Sequence, residues 1–191
     1  MDGLAKQCIG VCWAILIVYM TVAALGTKRT VERPTGQWRI WLLAGAMAVF
    51  ALRKSGIAPW ISAAQVVLWQ RTPAVGFVAD LLTISGLAIA LWARAALGSN
   101  WSAFVAFKEK HELIERGPYQ YVRHPMYSGI LLMILGGTVF CGVAGGFVMF
   151  PLAFAWFSLR ALSEEKLLLR HFPRAYRDYK TRVKALIPYV F

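Results

Sequence analysis

Residues 117–129, GPYQYVRHPMYSG, gather side chains able to do chemistry into one short stretch: three tyrosines, Arg123, His124 and two glycines around Pro125. An imidazole can donate or accept a proton near neutral pH. A tyrosine face attracts a cation, worth up to ~2 kcal/mol when water is excluded. A second cluster is RALSEEKLLLRHF, residues 160–172. Arg160 and Glu164 are four apart and so share one helix face, with Glu165 beside them. A guanidinium there offers a fork that matches a carboxylate. The bland alternative is a simple i,i+4 ion pair among interfacial tyrosines. No metal centre is expected. Cys8, Cys12 and Cys141 all lie in apolar segments without a CxxC pair, and they read as small buried hydrophobes.

The elements that must position these clusters are membrane spans. The chain of 191 residues is 59% hydrophobic with a mean hydropathy of +0.55. A soluble domain is nearer about 45–50% apolar. The net charge of +12 does not point to nucleic acid, because the basic residues punctuate apolar runs and build no basic face with stacking aromatics. Residues 8–25 form a charge-free run that reads as a first span rather than a cleaved signal peptide. A second span is expected from Trp38 to about Leu52, and a third over 74–97, which contains Asp80. Asp80 has no assignable role, although intramembrane acids often mark function. Residues 57–69 are apolar but too short to cross, so they are expected to be interfacial or re-entrant.

From Met126 to Leu159 no charged side chain occurs. As one helix those 34 residues would measure about 51 Å, against the ~30 Å of a hydrocarbon core, so the run must turn back. Glycine-rich CGVAGG, 141–146, marks the turn. Helices over 126–140 and 147–169 then form a hairpin of two short spans. Being antiparallel, it returns Arg160–Glu165 to the neighbourhood of His124. Tyr176, Tyr179 and Val183 recur at helical spacing, predicting a short amphipathic helix that ends before Pro188.

This patterning predicts an all-α integral membrane protein of about five spans in a single domain, 1–191. Residues 1–97 supply the N-terminal spans and 98–191 the binding and catalytic half. With the C-terminus in the cytosol, the inner side holds four basic residues between Lys28 and Arg39, five from Arg94 to Arg123 and eight from Arg160 to Lys184. The outer side keeps Lys6, Arg53, Lys54 and Arg71. The positive-inside rule therefore places the N-terminus outside and both clusters at the cytosolic face.

RHPMYSG at 123–129, the Glu164–Glu165 pair, and the tail FPRAYRDYKTRVKALIP together resemble the isoprenylcysteine carboxyl methyltransferase family of integral membrane enzymes. LGSNWS, 97–102, and HELIERGPY, 111–119, extend the resemblance to about 97–188. It implies methyl transfer from S-adenosyl-L-methionine to the carboxylate of a lipophilic acceptor, such as a C-terminal prenylcysteine, at the cytosolic membrane surface. The membrane would be the endoplasmic reticulum in a eukaryote, or the plasma or inner membrane in a bacterium. The resemblance implies a cofactor pocket of His111, Glu112, Leu113, Ile114, Tyr119, His124, Pro125, Met126, Tyr127 and Glu164. Arg160 would face the substrate as the catalytic residue. Glu165 could exchange roles with Glu164. The loop 98–123 and the C-terminal helix would close over this pocket.

Elementary chemistry agrees with those roles. Leu113 and Ile114 suit an adenine face, and a glutamate can accept from an ammonium or from ribose hydroxyls. The N-terminus of the helix behind Pro125 offers N–H groups as a seat for the cofactor carboxylate. Arg123 either faces lipid phosphate or pairs with an acid. Phospholipid amines and small thiols are alternative acceptors. A non-enzymatic membrane protein would share the spans without the paired motifs.

Overall fold

The computed structural model describes residues 2–24, 30–32, 65–98, 107–108 and 113–189. The expected span 38–52 and the candidate ligands His111 and Glu112 lie outside the described residues. Among the described residues five α-helices occur: α1 (Asp2–Ala24), α2 (Pro73–Leu97), α3 (Pro125–Cys141), α4 (Ala144–His171) and α5 (Ala175–Arg182). A 3-10 turn, Gly117–Gln120, precedes α3. The helical expectation therefore holds, with one addition. A two-stranded antiparallel ribbon joins β1 (Thr30–Glu32) to β2 (Phe107–Lys108). Strands of three and two residues carry too little alternation to be read from sequence.

Three helices, α1, α2 and α4, are long and apolar enough to cross a membrane. Between 6% and 22% of the apolar window of each is buried inside the protein, so their apolar faces look outward. That is the arrangement of helices surrounded by hydrocarbon rather than water. Together with the apolar α3, these helices make an integral membrane protein.

Helix α2 starts where its sequence directs. Thr72 Oγ1 accepts from Val75 N at 3.3 Å, and Pro73 occupies the first turn, where its missing N–H costs nothing. It packs most extensively against α3. The seam is built from small residues: a Cβ on Gly86 would lie 2.5 Å from the Gly129 carbonyl oxygen, and the reverse holds equally. Ala79, Thr83 and Ala90 continue the seam on α2, fully buried. Close backbone approach of this kind is how helices associate where no hydrophobic force drives them together.

The hairpin turns where expected, but on less chain. Gly142 alone takes the left-handed conformation (φ 63°), and α4 begins two residues later, absorbing Gly145 and Gly146 into its first turn. A Cβ on Gly146 would approach Thr138 Cγ2 to 2.7 Å, so this glycine serves helix contact rather than the turn. The described end of the 57–69 segment docks on this turn. Leu68 N donates to Gly142 O (2.8 Å), and Trp69 Nε1 to Val139 O (3.0 Å). Helix α4 extends beyond the expected 147–169 by three residues at its start and two at its end. Its 28 residues make a rod of about 42 Å, longer than one crossing. Its apolar window gives way to Arg160, Glu164 and Glu165 without ending the helix, because backbone hydrogen bonding continues to Phe172, just ahead of Pro173.

Candidate active site

The site lies where α3 begins and α4 runs past it. Four of the expected residues meet in direct contact. The Tyr127 hydroxyl accepts from Arg160 Nε (2.7 Å) and donates to Glu164 Oε1 in a short hydrogen bond. Arg160 Nε also lies 3.7 Å from Glu164 Oε1, and its guanidinium sits 5.7 Å above the Tyr127 ring. His124 stacks on Tyr127 at 5.6 Å and 6° between planes, and its Nδ1 lies 3.5 Å from Glu164 Oε2. One helix face thus presents a guanidinium and a carboxylate on either side of a phenol.

The remaining described candidates surround that core. Ile114, Tyr119 and Met126 form an apolar patch against Ala93 of α2. Tyr119 hands its hydroxyl proton to Ala93 O (3.4 Å), and burial, then the Glu164 charge, push its pKa well above the tyrosine range. It stays a donor. Pro125 is fully buried. Leu113 instead packs under α5 with Tyr176 and Tyr179.

The second acid is engaged differently. Glu165 accepts from Arg123 through Nε (2.9 Å) and Nη2 (2.7 Å), and from Lys180 Nζ (2.7 Å). Of the two roles left open for Arg123, pairing with an acid is the one observed. Glu165 is 3% exposed, whereas the Glu164 side chain is 25% exposed and that of Arg160 is 23% exposed. Glu164 is the more exposed of the two acids.

The start of α3 is fastened both within the helix and to the tail. The N–H groups of Tyr127 and Ser128 both donate to the His124 carbonyl, at 3.0 and 3.2 Å. His124 N donates to Ala185 O (2.9 Å), and Ser128 Oγ to Leu186 O (2.5 Å). The first turn of α3 therefore spends these donors within the chain. Leu186 is buried against Tyr127, Leu131 and Ala161, filling the cleft between α3 and α4. The amphipathic helix appears as α5, with Tyr176, Tyr179 and Val183 buried as expected, and it ends at Arg182.

His124 stands between the two acids, its Nε2 being 3.4 Å from Glu165 Oε1. Burial works against the imidazolium, but hydrogen bonds and charge from Glu164 and Glu165 outweigh it and raise the His124 pKa above its ordinary value. Arg94 is a further buried group whose role its sequence did not show. It reaches from α2 to Ala23 O (2.6 Å) and Gly98 O (2.7 Å), tying the end of α1 to the end of α2.

The family model for isoprenylcysteine carboxyl methyltransferases (ICMT) matches residues 78–170, a stretch that takes in most of α2, all of α3, and both motif clusters. Over residues 78–170 the chain resembles the ICMT family. A probable protein-S-isoprenylcysteine O-methyltransferase of Oryza sativa subsp. indica is 30% identical over 119 residues, covering 61% of this chain and 62% of that one. A protein-S-isoprenylcysteine O-methyltransferase of Schizosaccharomyces pombe is 34% identical over 96 residues, 49% of this chain and 41% of that one. The structure of a eukaryotic intramembrane Ras methyltransferase ICMT superposes with a TM-score of 0.55 at 22% identity, covering 84% of this chain and 55% of that one. That likeness shows a shared fold. The chain spans less than two thirds of the length of each of these ICMT relatives.

Proposed function

We propose that this protein transfers a methyl group from S-adenosyl-L-methionine to the carboxylate of a lipophilic acceptor, such as a C-terminal prenylcysteine, at the cytosolic membrane face. The observation that carries this reading is the pairing of an accessible carboxylate, Glu164, with an accessible guanidinium, Arg160, across the Tyr127 phenol. One acid and one base side by side suit a cationic ligand and an anionic one brought together. The names of the ICMT relatives point to the same chemistry.

The residues present fit the cofactor. S-adenosylmethionine, when bound, supplies an electrophilic methyl group on a sulfonium. Glu164 would accept from its ammonium or its ribose hydroxyls, the Tyr127 ring would face positive charge, and Ile114, Tyr119 and Met126 would line the adenosine side. Arg160 would fork the acceptor carboxylate and aim its oxygen. No general base is needed, because a C-terminal carboxylate is ionised at neutral pH. His124 lies between two acids, Nδ1 3.5 Å from Glu164 and Nε2 3.4 Å from Glu165, whose hydrogen bonds and charge raise its pKa against burial. Alignment can supply roughly 7–11 kcal/mol of barrier reduction in such a reaction.

Thermal unfolding of the detergent-purified protein with S-adenosylhomocysteine tests the cofactor half, and a screen of labelled methyl acceptors tests the other. A melting temperature that S-adenosylhomocysteine leaves unmoved at saturating concentrations overturns the reading.

A further inference from the structure

Glu165 has more partners than a ligand-binding acid needs. Its two oxygens hold Arg123, Lys180 and the Nε2 edge of His124, groups drawn from the stretch before α3 and from α5. Arg123 then extends through Nη1 to the carbonyls of Val183 and Lys180. The same stretch is zipped to the tail by backbone: Arg123 N donates to Lys184 O (2.8 Å), within a parallel bridge between Val122 and Lys184. Removing a buried charge network of this size from water is costly, and apolar packing could fasten a tail as well. Something beyond fastening is therefore to be explained.

The explanation lies at His124. Glu164 faces its Nδ1 at 3.5 Å and Glu165 faces its Nε2 at 3.4 Å. A neutral imidazole carries one N–H and can satisfy only one of two ionised acids, whereas the imidazolium satisfies both. Tyr127 of α3 stacks on the ring, with Arg160 behind that phenol, and Arg123 and Lys180 reach the ring only through Glu165. A carboxylate behind a histidine commonly fixes its protonation and ring orientation for the group in front.

We infer that Glu165 is a positioning residue for the cofactor site: it fastens the C-terminal tail and holds His124 as a double donor aimed at Glu164. This rests on the methyl-transfer reading above for what Glu164 binds. The direction of the His124 titration, raised by both acids against burial, is consistent with it.

The test uses the full chain in detergent. It contains 3 histidines, so ring signals of 13C-histidine-labelled protein can be followed with pH, and His124→Asn identifies the one that matters. In the wild type the His124 midpoint should lie above about 6.5, the ordinary histidine value. Glu165→Gln should lower it, and should turn a flat S-adenosylhomocysteine affinity between pH 6 and 8 into one that falls about tenfold as the ring loses its proton, the equivalent of roughly one unit of differential interaction. Glu165→Asp keeps the charge but withdraws it, and should give an intermediate midpoint. Lys180→Met should speed proteolysis of residues 183–189 while leaving the His124 midpoint and the affinity in place. A folded Glu165→Gln with an unmoved midpoint and flat affinity overturns the inference. Should Glu165→Gln not fold, an unmoved midpoint in Glu165→Asp overturns it equally. A wild type that binds no S-adenosylhomocysteine refutes the methyl-transfer reading instead, and the His124 midpoints still decide the role of Glu165.

Discussion

Glu164→Gln is the sharpest perturbation of the site, because the amide keeps the size of the carboxylate and removes its charge. Three groups now converge on that charge: the Tyr127 hydroxyl, His124 Nδ1 at 3.5 Å and Arg160 Nε at 3.7 Å. A ligand ammonium or ribose hydroxyl would add a charged hydrogen bond worth about 1.5–3 kcal/mol, or roughly ten- to a hundredfold in affinity. Because the Glu164 side chain is 25% exposed, solvent screening moves the expectation to the lower end, about tenfold. Arg160→Ala acts through a different bond. It removes a charged donor to the Tyr127 hydroxyl at 2.7 Å, a bond made within the protein with or without ligand, so cofactor affinity should fall less than in Glu164→Gln. Turnover should fall much further, because the acceptor carboxylate loses its fork. Tyr127 bridges the two residues, so their effects must couple, and the double variant should fall short of the sum. The assay is calorimetric titration with S-adenosylhomocysteine beside turnover on a prenylcysteine analogue. Arg160→Ala abolishing cofactor binding while turnover per bound cofactor stays normal would refute the division of labour.

Gly129→Ala places a Cβ 2.5 Å from the Gly86 carbonyl and 2.7 Å from Ala90 N, so the α2–α3 seam must open, at a cost of about 1–3 kcal/mol in thermal unfolding. Gly137→Ala on the same helix meets nothing within 4 Å and should be neutral or slightly stabilising. Since the folded pKa of His124 is raised, its ion pairs contribute fully below about 6.5 and are lost as pH climbs through the raised value. The melting temperature of the wild type should therefore exceed that of His124→Gln at pH 6 and converge on it at high pH. A gap that widens with pH contradicts the sign. Cys141 is exposed at the hairpin turn, at the opposite end of α3 from His124. A membrane-impermeant maleimide should label it in intact cells of a Cys8→Ser variant, and labelling only after permeabilisation would invert the orientation.

What could be read from the chain follows the range of the forces involved. The bounds of α2 and the fold-back of α3 on α4 were legible because local chemistry sets them: Thr72–Pro73 at one start, an uncharged run too long for one crossing, and Gly142 at the turn. The meeting of His124 with Glu164 followed from the antiparallel hairpin alone. The length of α4 followed to within a turn, the expected helix over 147–169 starting three residues late and stopping two residues early. The tail at 184–186 did not follow. Its contacts to Arg123, His124 and Ser128 are separated by about sixty residues and all end on backbone carbonyls of the tail, which leave no trace in side-chain pattern. The split between the two acids was open in the sequence because both occupy one turn. On the methyl-transfer reading, Arg123 and Lys180 favour Glu164 as the ligand-facing acid, because they pair with Glu165.

On the methyl-transfer reading, the long α4 bears on why such chemistry would sit at a membrane threshold. Phe157 packs beside Tyr127, Phe150 and Phe154 join the same apolar cluster, and one turn further on the same rod carries Arg160 and then Glu164. A lipophilic acid has two incompatible demands: its tail must stay in hydrocarbon, and its carboxylate must meet a cation near water. A loop crossing that boundary would leave backbone groups unsatisfied in lipid, whereas a continuous helix carries its own hydrogen bonds across. On the methyl-transfer reading, the distance between the aromatic stretch and the guanidinium is then set by helix geometry at 1.5 Å per residue, and a misplacement of about 1 Å can cost a hundredfold in rate. Inserting one alanine after Phe157 should rotate Arg160 by about 100° away from Tyr127 while leaving both motifs intact in sequence. Such a variant should fold and keep its apolar packing below the insertion, yet lose transfer to the acceptor. Full activity in that variant would show that register between tail contact and guanidinium is not what aligns the reaction.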